Sequence, residues 1–298
     1  MQRELVLEGG LSIVEGLAKA MTSMLEEARA QARRALEAPG EAVHDYRRAL
    51  RRAEAIIALA WPMLRNTPRK YLSTSLERAR SRTRILRDLD AVVPVVGRLA
   101  ELGWVESVAG GGLTDSVVAL AAWVEACRGE LASDELVAWR LRKNVRALAG
   151  LGEIFQVALH AWVDLEVVME SARGAYREAR RAWKQAIQSG AIDDLHALRR
   201  KTRTLRYALE LLASNPELPR HEAIAAQHLT FKSFVKELGN ITDLLALRDI
   251  VGEADEDLAG FDAEGLARAL GDLIESRQDR ALNDAATLFA VRPRAFLA

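Results

Sequence analysis

Cysteine and proline are scarce in this chain, which holds one cysteine, Cys127, and 7 prolines among 298 residues. A single cysteine excludes an intrachain disulfide and a thiolate metal cluster within one chain, and it fits a reducing compartment, so we expect a cytoplasmic protein. No uninterrupted apolar run reaches membrane-spanning length, and residues 1–11 lack the basic region and apolar run of a signal peptide. We therefore expect a soluble chain without a membrane partner.

An excess of one charge is also missing, because 42 basic residues balance 42 acidic ones. A general nucleic-acid binder is more often basic overall, since phosphate contacts dominate its affinity. The charges are segregated along the chain: residues 65–90 hold eight basic and three acidic residues, whereas residues 252–279 hold two basic and nine acidic ones. This segregation predicts a positive region and a negative region, and the zero net charge favours a confined cationic groove over a generally basic surface.

Aromatic residues make up only 5% of the chain, and the six tryptophans lie mainly among apolar neighbours. This setting predicts that the tryptophans pack in the core. It argues against the exposed stacking platforms with which proteins bind single-stranded nucleic acid. The sequence thus disfavours nucleic acid as a partner.

The abundant residues are alanine, leucine, arginine and glutamate, which favour helix, and no segment shows convincing strand periodicity. The predicted fold class is all-α. Predicted helices cover residues 11–37, 42–61, 68–102, 113–130, 134–150, 152–189, 193–213, 218–251 and 262–290. Several breaks between them hold proline or glycine, as at Pro39-Gly40 and Ser189-Gly190.

Two of these helices carry the same charged pattern, a histidine followed by arginine at the third, fourth and seventh positions. At about 100° per residue, the basic residues of each helix fall on one side and the apolar residues on the other. The first helix is cationic at His44, Arg47, Arg48, Arg51 and Arg52, with Tyr46, Leu50, Ala53 and Ile57 behind. The second is cationic at His196, Arg199, Arg200, Arg203 and Arg206, with Leu195, Leu198, Leu205 and Leu209 behind. Two such cationic faces suggest a binding surface for a polyanion.

The similarity of the two halves extends beyond these helices. In each half a long amphipathic helix precedes the histidine helix, and a helix with an acidic residue at Asp88 or Asp243 follows it. Because order and approximate spacing are kept, we infer an internal duplication in which residues 1–150 and 151–298 each form a helical bundle. A pseudo-twofold relation would let the two cationic faces meet across one shared cleft.

At these residues the chain resembles the CHAD family, named for a conserved histidine α-helical domain, over nearly its whole length. The family pattern places arginine at the third position after histidine, basic residues at the seventh and eighth, often arginine at the tenth, and an Arg-Asp-Leu-Asp-like sequence later. The matching residues are His44, Arg47, Arg51, Arg52 and Arg87-Asp88-Leu89-Asp90 in the first half, and His196, Arg199, Arg203 and Arg206 in the second. The chain departs from the pattern at Glu54, Thr204 and Thr242. The resemblance implies two four-helix bundles around a basic pore or cleft that binds inorganic polyphosphate, without catalysis by this domain.

The chemistry of the residues fits that implication. Polyphosphate is a flexible linear polyanion, so it needs a row of fixed cations, and guanidinium groups hold phosphate oxygens in pairs. A second tier of cations is expected along the cleft, namely Arg80, Arg84 and Arg87 with Lys232 and Lys236. Asp45, Asp88 and Asp243 are expected to neutralise in part and orient the crowded cations. A cationic histidine beside polyphosphate should have a raised pKa, so binding should strengthen modestly on acidification.

Signals for catalysis or for a metal are weak. No P-loop is present, and the five histidines, His44, His160, His196, His221 and His228, are scattered without ligand spacing. We therefore expect no cofactor, no metal site and no catalytic residue. The alternatives left open are a metal-dependent phosphohydrolase acting on polyphosphate or a phosphorylated metabolite, a nucleic-acid or nucleotide binder, and arginine faces that are merely solvated. If the chain binds polyphosphate, association with polyphosphate granules in the cytoplasm is a further expectation.

Overall fold

The computed structural model describes residues 5–101, 113–132, 135–160, 165–254, 257–258 and 260–297. Within these ranges the regular structure is helical apart from one isolated antiparallel bridge between Leu64 and Leu159, so the all-α prediction is confirmed. The α-helices are α1 (Ile13–Arg34), α2 (Pro39–Leu59), α3 (Asn66–Ser81), α4 (Arg84–Glu101), α5 (Thr114–Ala132), α6 (Glu135–Ala147), α7 (Leu151–Ala158), α8 (Leu165–Ser189), α9 (Ile192–Ala213), α10 (His221–Ala254) and α11 (Ala263–Leu288). None of these helices combines the length and the apolar character that crossing a membrane requires.

Two of the predicted helices are each divided in the structure. The stretch predicted as one helix over 68–102 consists of α3 and α4, and the stretch over 152–189 consists of α7 and α8. Neither proline nor glycine marks the first break, at Arg82-Thr83, so the local sequence gives no signal for it. The second break follows Leu159, whose extended backbone pairs with Leu64.

Side chains from other helices explain the first break. Ala79 O accepts hydrogen bonds from Tyr46 Oη (3.2 Å) and Asn144 Nδ2 (2.9 Å), and Arg80 O accepts one from Arg47 Nη1 (2.6 Å). These are carbonyl groups at the C-terminal end of α3, where a helix leaves acceptors without intrahelical partners. Because α2 and α6 supply the donors, tertiary packing rather than local sequence fixes the end of α3.

The histidine helices turn their apolar faces inward, as the sequence predicts. Tyr46, Leu50, Ala53 and Ile57 of α2 and Leu195, Leu198, Leu205 and Leu209 of α9 are all buried. Helix α2 packs on α1, whereas α9 lies against α8 and α10. Helices α2 and α9 also contact each other directly. The two cationic faces are therefore close in space although they are distant in sequence.

The segment before α8 packs with the first half of the chain. Helices α6 and α7 contact α1, and α7 also contacts α3. Arg65 N donates to Ala158 O (3.2 Å) and His160 N donates to Met63 O (3.0 Å) on either side of the isolated bridge. The division at residues 150 and 151 and the internal duplication both stay predictions.

The prediction that the tryptophans pack in the core is wrong for Trp61 and Trp139, which expose 43% and 51% of their surface. The guanidinium carbon of Arg69 lies 4.1 Å from the Trp61 ring centroid, and Lys143 Nζ lies 4.6 Å from that of Trp139. A cation above an aromatic face is attracted by the ring electrons, which stabilises a partly solvated ring. Trp104 and Trp162 lie outside the described residues.

Candidate polyanion-binding site

Helices α2 and α9 cross with their charged faces together. Arg52 of α2 pairs with Glu210 of α9. Farther along α2, Ala58 lines a groove with Lys201 and Thr204 of α9. Later residues of α2 thus lie beside earlier residues of α9, so the two helices run in opposite directions.

The crossing has a strongly cationic centre. Arg203 of α9 is half-buried, and its side chain makes no hydrogen bond or ion pair with any residue that the structure describes. Burial lowers the pKa of the Arg203 guanidinium well below the ordinary value for arginine, and the neighbouring charges of Arg51 and Arg199 lower that pKa further, while Tyr207 and Glu54 oppose the shift to a smaller extent. Because like charges are held together away from water, a bound anion would stabilise this cluster. We name Arg51, Arg199 and Arg203 the cationic centre.

One carboxylate neutralises the arginines next to the cationic centre. Glu210 Oε1 accepts a hydrogen bond from Arg52 Nη2, and Glu210 Oε2 lies 3.0 Å from Arg206 Nη2. These side chains are largely buried, with exposed fractions of 14% for Arg52 and Glu210 and 15% for Arg206. The guanidinium carbon of Arg206 also lies 4.4 Å from the ring centroid of Tyr207. We name Arg52, Glu210 and Arg206 the Glu210 bridge.

His228 and Lys232 of α10 complete this end of the site. Burial lowers the pKa of His228, and the charges of Arg206, Lys232 and Arg52 add to that effect while Glu210 opposes it. The buried Nε2 of His228 makes no hydrogen bond with any described residue. Sequence reasoning missed His228, although its spacing of four residues from Lys232 places both on one helix face.

Arg47 lies beneath the cationic face instead of on it. Its exposed fraction is 5%, and its Nη1 donates to Thr83 Oγ1 (3.1 Å) as well as to the end of α3. The next arginine, Arg48, donates from Nη2 to Asp45 Oδ1 at 2.8 Å. Asp45 therefore orients a cation, as expected. Arg47 has the contacts of a residue that positions α2 against α3.

Arg199 corresponds in the second half to Arg47, because each is the third residue after a histidine, and it also donates a hydrogen bond to a threonine. Its Nη1 donates to Thr242 Oγ1 of α10, and its Nη2 lies 3.9 Å from Asp243 Oδ1. A Cβ atom at Gly239 would lie 3.3 Å from Arg199 Nη2, so a glycine allows this close approach. Arg199 thus joins α9 to α10 while its charge acts on Arg203.

The predicted residues His44, His196 and Arg200 are exposed. His44 and His196 each precede a residue of the cationic centre by seven positions, which is about 10 Å of axial rise. Because the helices run in opposite directions, the two histidines lie on opposite sides of the crossing. Partial burial and the charges of Arg199 and Arg200 lower the pKa of His196.

The predicted second-tier cations differ from one another in burial and in pairing. Arg80 Nε donates to Glu54 Oε1 at 3.0 Å in a partly buried ion pair. Arg84, Lys232 and Lys236 are exposed. The side chain of Arg87 lies outside the described residues, as does that of Asp88.

A groove of about 810 Å³ runs beside the crossing, but its chemistry differs from that of the cationic centre. Its lining is mainly apolar and includes Ala58, Trp61, Pro62, Val167, Gly174 and Ala175. At its rim Arg177 Nη2 lies 3.0 Å from Glu170 Oε1, so that cation is already paired. An apolar groove with paired rim charges offers little to a polyanion. In the described ranges, no group of three or more histidine, cysteine, aspartate or glutamate side chains is placed to hold a metal ion.

Comparison with known proteins places this arrangement in a family. The sequence profile of the CHAD domain matches residues 19–252, which include both histidine helices. This chain belongs to the CHAD family. The crystal structure of the CHAD domain from the plant Ricinus communis matches the fold with a TM-score of 0.69 at 18% sequence identity, over 98% of this chain and 98% of that one. No curated protein matches this CHAD sequence.

The sequence predicts the cations of this CHAD site better than it predicts their acidic partners. Glu54 enters the sequence pattern only as a departure from the family, and Glu210 has no predicted role, whereas the structure makes each an ion-pair partner of a predicted cation. The spacing of four residues between Arg206 and Glu210 was an available signal, because such pairs lie together on a helix. The contact of Glu210 with Arg52 had no such signal, since the two residues come from different halves of the chain.

Proposed function

We propose that this CHAD domain binds inorganic polyphosphate without catalysis, in the cleft where α2 crosses α9. The observation that carries the proposal is Arg203, a half-buried cation beside Arg51 and Arg199 whose side chain forms no hydrogen bond or ion pair with a described residue. Holding a cation away from water and beside like charges is unfavourable unless an anion offsets it. A phosphate group at the cationic centre would supply that charge.

The layout of the site supports a linear ligand over a compact one. Cations continue from the centre towards His44 along α2 and towards His196 along α9, about 10 Å in each direction. A chain of phosphates can contact both arms, whereas a single phosphate can contact only one position. The resemblance to the CHAD family points to the same ligand.

The proposal is tested by calorimetric titration of the full chain with polyphosphate of defined length at two salt concentrations. We expect tight, length-dependent binding that weakens steeply with salt, because phosphate contacts release counterions. Duplex DNA and ATP serve as comparators, and orthophosphate release is assayed in parallel. No binding, or equal binding to every polyanion, would reject the proposal. Metal-dependent release of orthophosphate would favour the phosphohydrolase instead.

The proposed location is the cytoplasm, in keeping with a single cysteine. A fluorescent fusion imaged together with stained polyphosphate would test the location and any association with granules. The Arg203→Gln variant is the control for such imaging, because we expect it to keep the fold and to weaken the proposed site.

A further inference from the structure

The Glu210 bridge is more than an ordinary surface ion pair. Exposed ion pairs contribute little because water screens them, but the three side chains of this bridge are about 85% buried. Glu210 contacts one arginine from each histidine helix, so a single carboxylate neutralises part of both cationic faces. Two of the predicted phosphate ligands are thus occupied by an internal anion.

The first half has no carboxylate at the position that matches Glu210. Glu210 is the fourteenth residue after His196, and the fourteenth residue after His44 is Ala58. The cleft is therefore asymmetric: the Glu210 carboxylate pairs directly with Arg206, whereas Arg203 next to it forms no ion pair with a described residue and Glu54 attracts it only at longer range.

Resting on the proposed function, we infer that Glu210 acts as a built-in competitor of the polyanion and sets how long a chain the cleft accepts. A short chain binds at the cationic centre and leaves the Glu210 bridge intact. A longer chain engages Arg52 and Arg206 only by displacing the carboxylate, which reduces the gain from each added phosphate. The charges of Lys232 and Glu210 both act on His228, so these three side chains are neighbours. A displaced Glu210 carboxylate would therefore remain beside His228 and Lys232.

Glu210→Gln is the direct test, because it removes the charge while keeping the size of the side chain. By calorimetry with a short and a long polyphosphate of defined length, we expect the variant to bind the long chain roughly tenfold more tightly than the unmodified protein does. The short chain should change by less than threefold. The dependence of affinity on salt should also steepen for the long chain, because two more arginines contact phosphate.

Glu178→Gln is the matched control. Glu178 also bridges two cations, Arg181 at 2.8 Å and Lys201 at 3.4 Å, but its side chain is 45% exposed and lies outside the cationic centre. We expect this variant to change the affinity for either chain by less than twofold.

The outcomes separate the inference from the proposed function. If the unmodified protein does not bind polyphosphate, the proposed function fails. If it binds and Glu210→Gln shows no gain for the long chain, the competitor role is wrong while the function stands. Should the variant not fold, the nuclear magnetic resonance signals of the arginine side-chain N–H groups in the unmodified protein test the inference. The signals of Arg52 and Arg206 should shift when the long chain is added and should not shift with the short one. Equal shifts with both chains would overturn the inference.

Discussion

At the scale of single residues, Arg203 combines partial burial, like-charged neighbours and the lack of a hydrogen bond or ion pair with any described residue. Arg203→Gln should therefore weaken polyphosphate binding roughly tenfold, as expected for the loss of a charged hydrogen bond. The free energy of unfolding should stay constant or rise, because the variant removes a repulsive charge. Calorimetry measures the affinity, and urea unfolding measures the free energy of unfolding.

Arg268→Gln is the control for this comparison, since Arg268 is 71% exposed and pairs only with Glu264 among the described residues. It should change neither affinity nor stability measurably. If Arg203→Gln lowered stability and left affinity intact, Arg203 would be a structural residue.

We expect His196 to make polyphosphate binding sensitive to pH. Partial burial, Arg199 and Arg200 lower its pKa, while Asp193 and Asp249 act in the opposite direction. A bound polyanion would raise that pKa, so binding takes up a proton and affinity increases as pH falls through the pKa of the complex. We expect a gain on the order of fivefold between pH 8 and pH 5.5, measured by calorimetry. In His196→Gln the dependence should be flatter, and an unchanged profile would exclude His196 as its source.

The lowered pKa of His196 makes the free energy of unfolding depend on pH in the opposite direction from the affinity. The unfolded chain binds a proton at His196 more readily than the folded chain does, so this group's contribution to stability is present above the ordinary histidine pKa and is lost as pH falls. Affinity and stability should therefore respond to acid in opposite directions.

At the scale of the elements, the sequence predicts the helices that carry the site but not how they end. The pattern of His44, Arg51 and their apolar partners is local, so helical periodicity identifies α2 and its buried side correctly. The break at Arg82-Thr83 depends on Asn144, whose Oδ1 accepts from Arg82 Nη1 at 2.9 Å. A contact across more than sixty positions leaves no trace in local periodicity. The same reason explains why the pairing of Arg52 with Glu210 could not be predicted.

Asn144→Ala tests whether packing fixes the end of α3. Asn144 is fully buried, and its amide hydrogen bonds with both Arg82 and Ala79 O. Its loss should lower the free energy of unfolding by about 1–3 kcal/mol, because buried polar groups are left without partners. Urea unfolding measures the change. Affinity for polyphosphate should fall by less than twofold, and a larger fall would mean that the α3 end shapes the cleft directly.

At the scale of the whole molecule, the crossing of α2 and α9 joins residues that hold the same position in their helices. Arg51 and Arg203 are each the seventh residue after a histidine, and their charges meet at the cationic centre. Opposite helix directions and contact between like positions are what a twofold relation between two copies would produce. The contact is consistent with the predicted duplication, which stays a prediction.

Since the proposed ligand contacts both helices, its binding should stabilise the two halves together. At a polyphosphate concentration about 100 times the Kd, the free energy of unfolding should rise by about 2.7 kcal/mol in the unmodified protein. Urea unfolding followed by circular dichroism would measure this, with orthophosphate at the same total phosphate concentration as the control. At the same polyphosphate concentration Arg203→Gln should gain less, because its Kd is weaker. A gain confined to one of two separate unfolding transitions would show that the ligand contacts a single half, and the crossing would then not be the binding site.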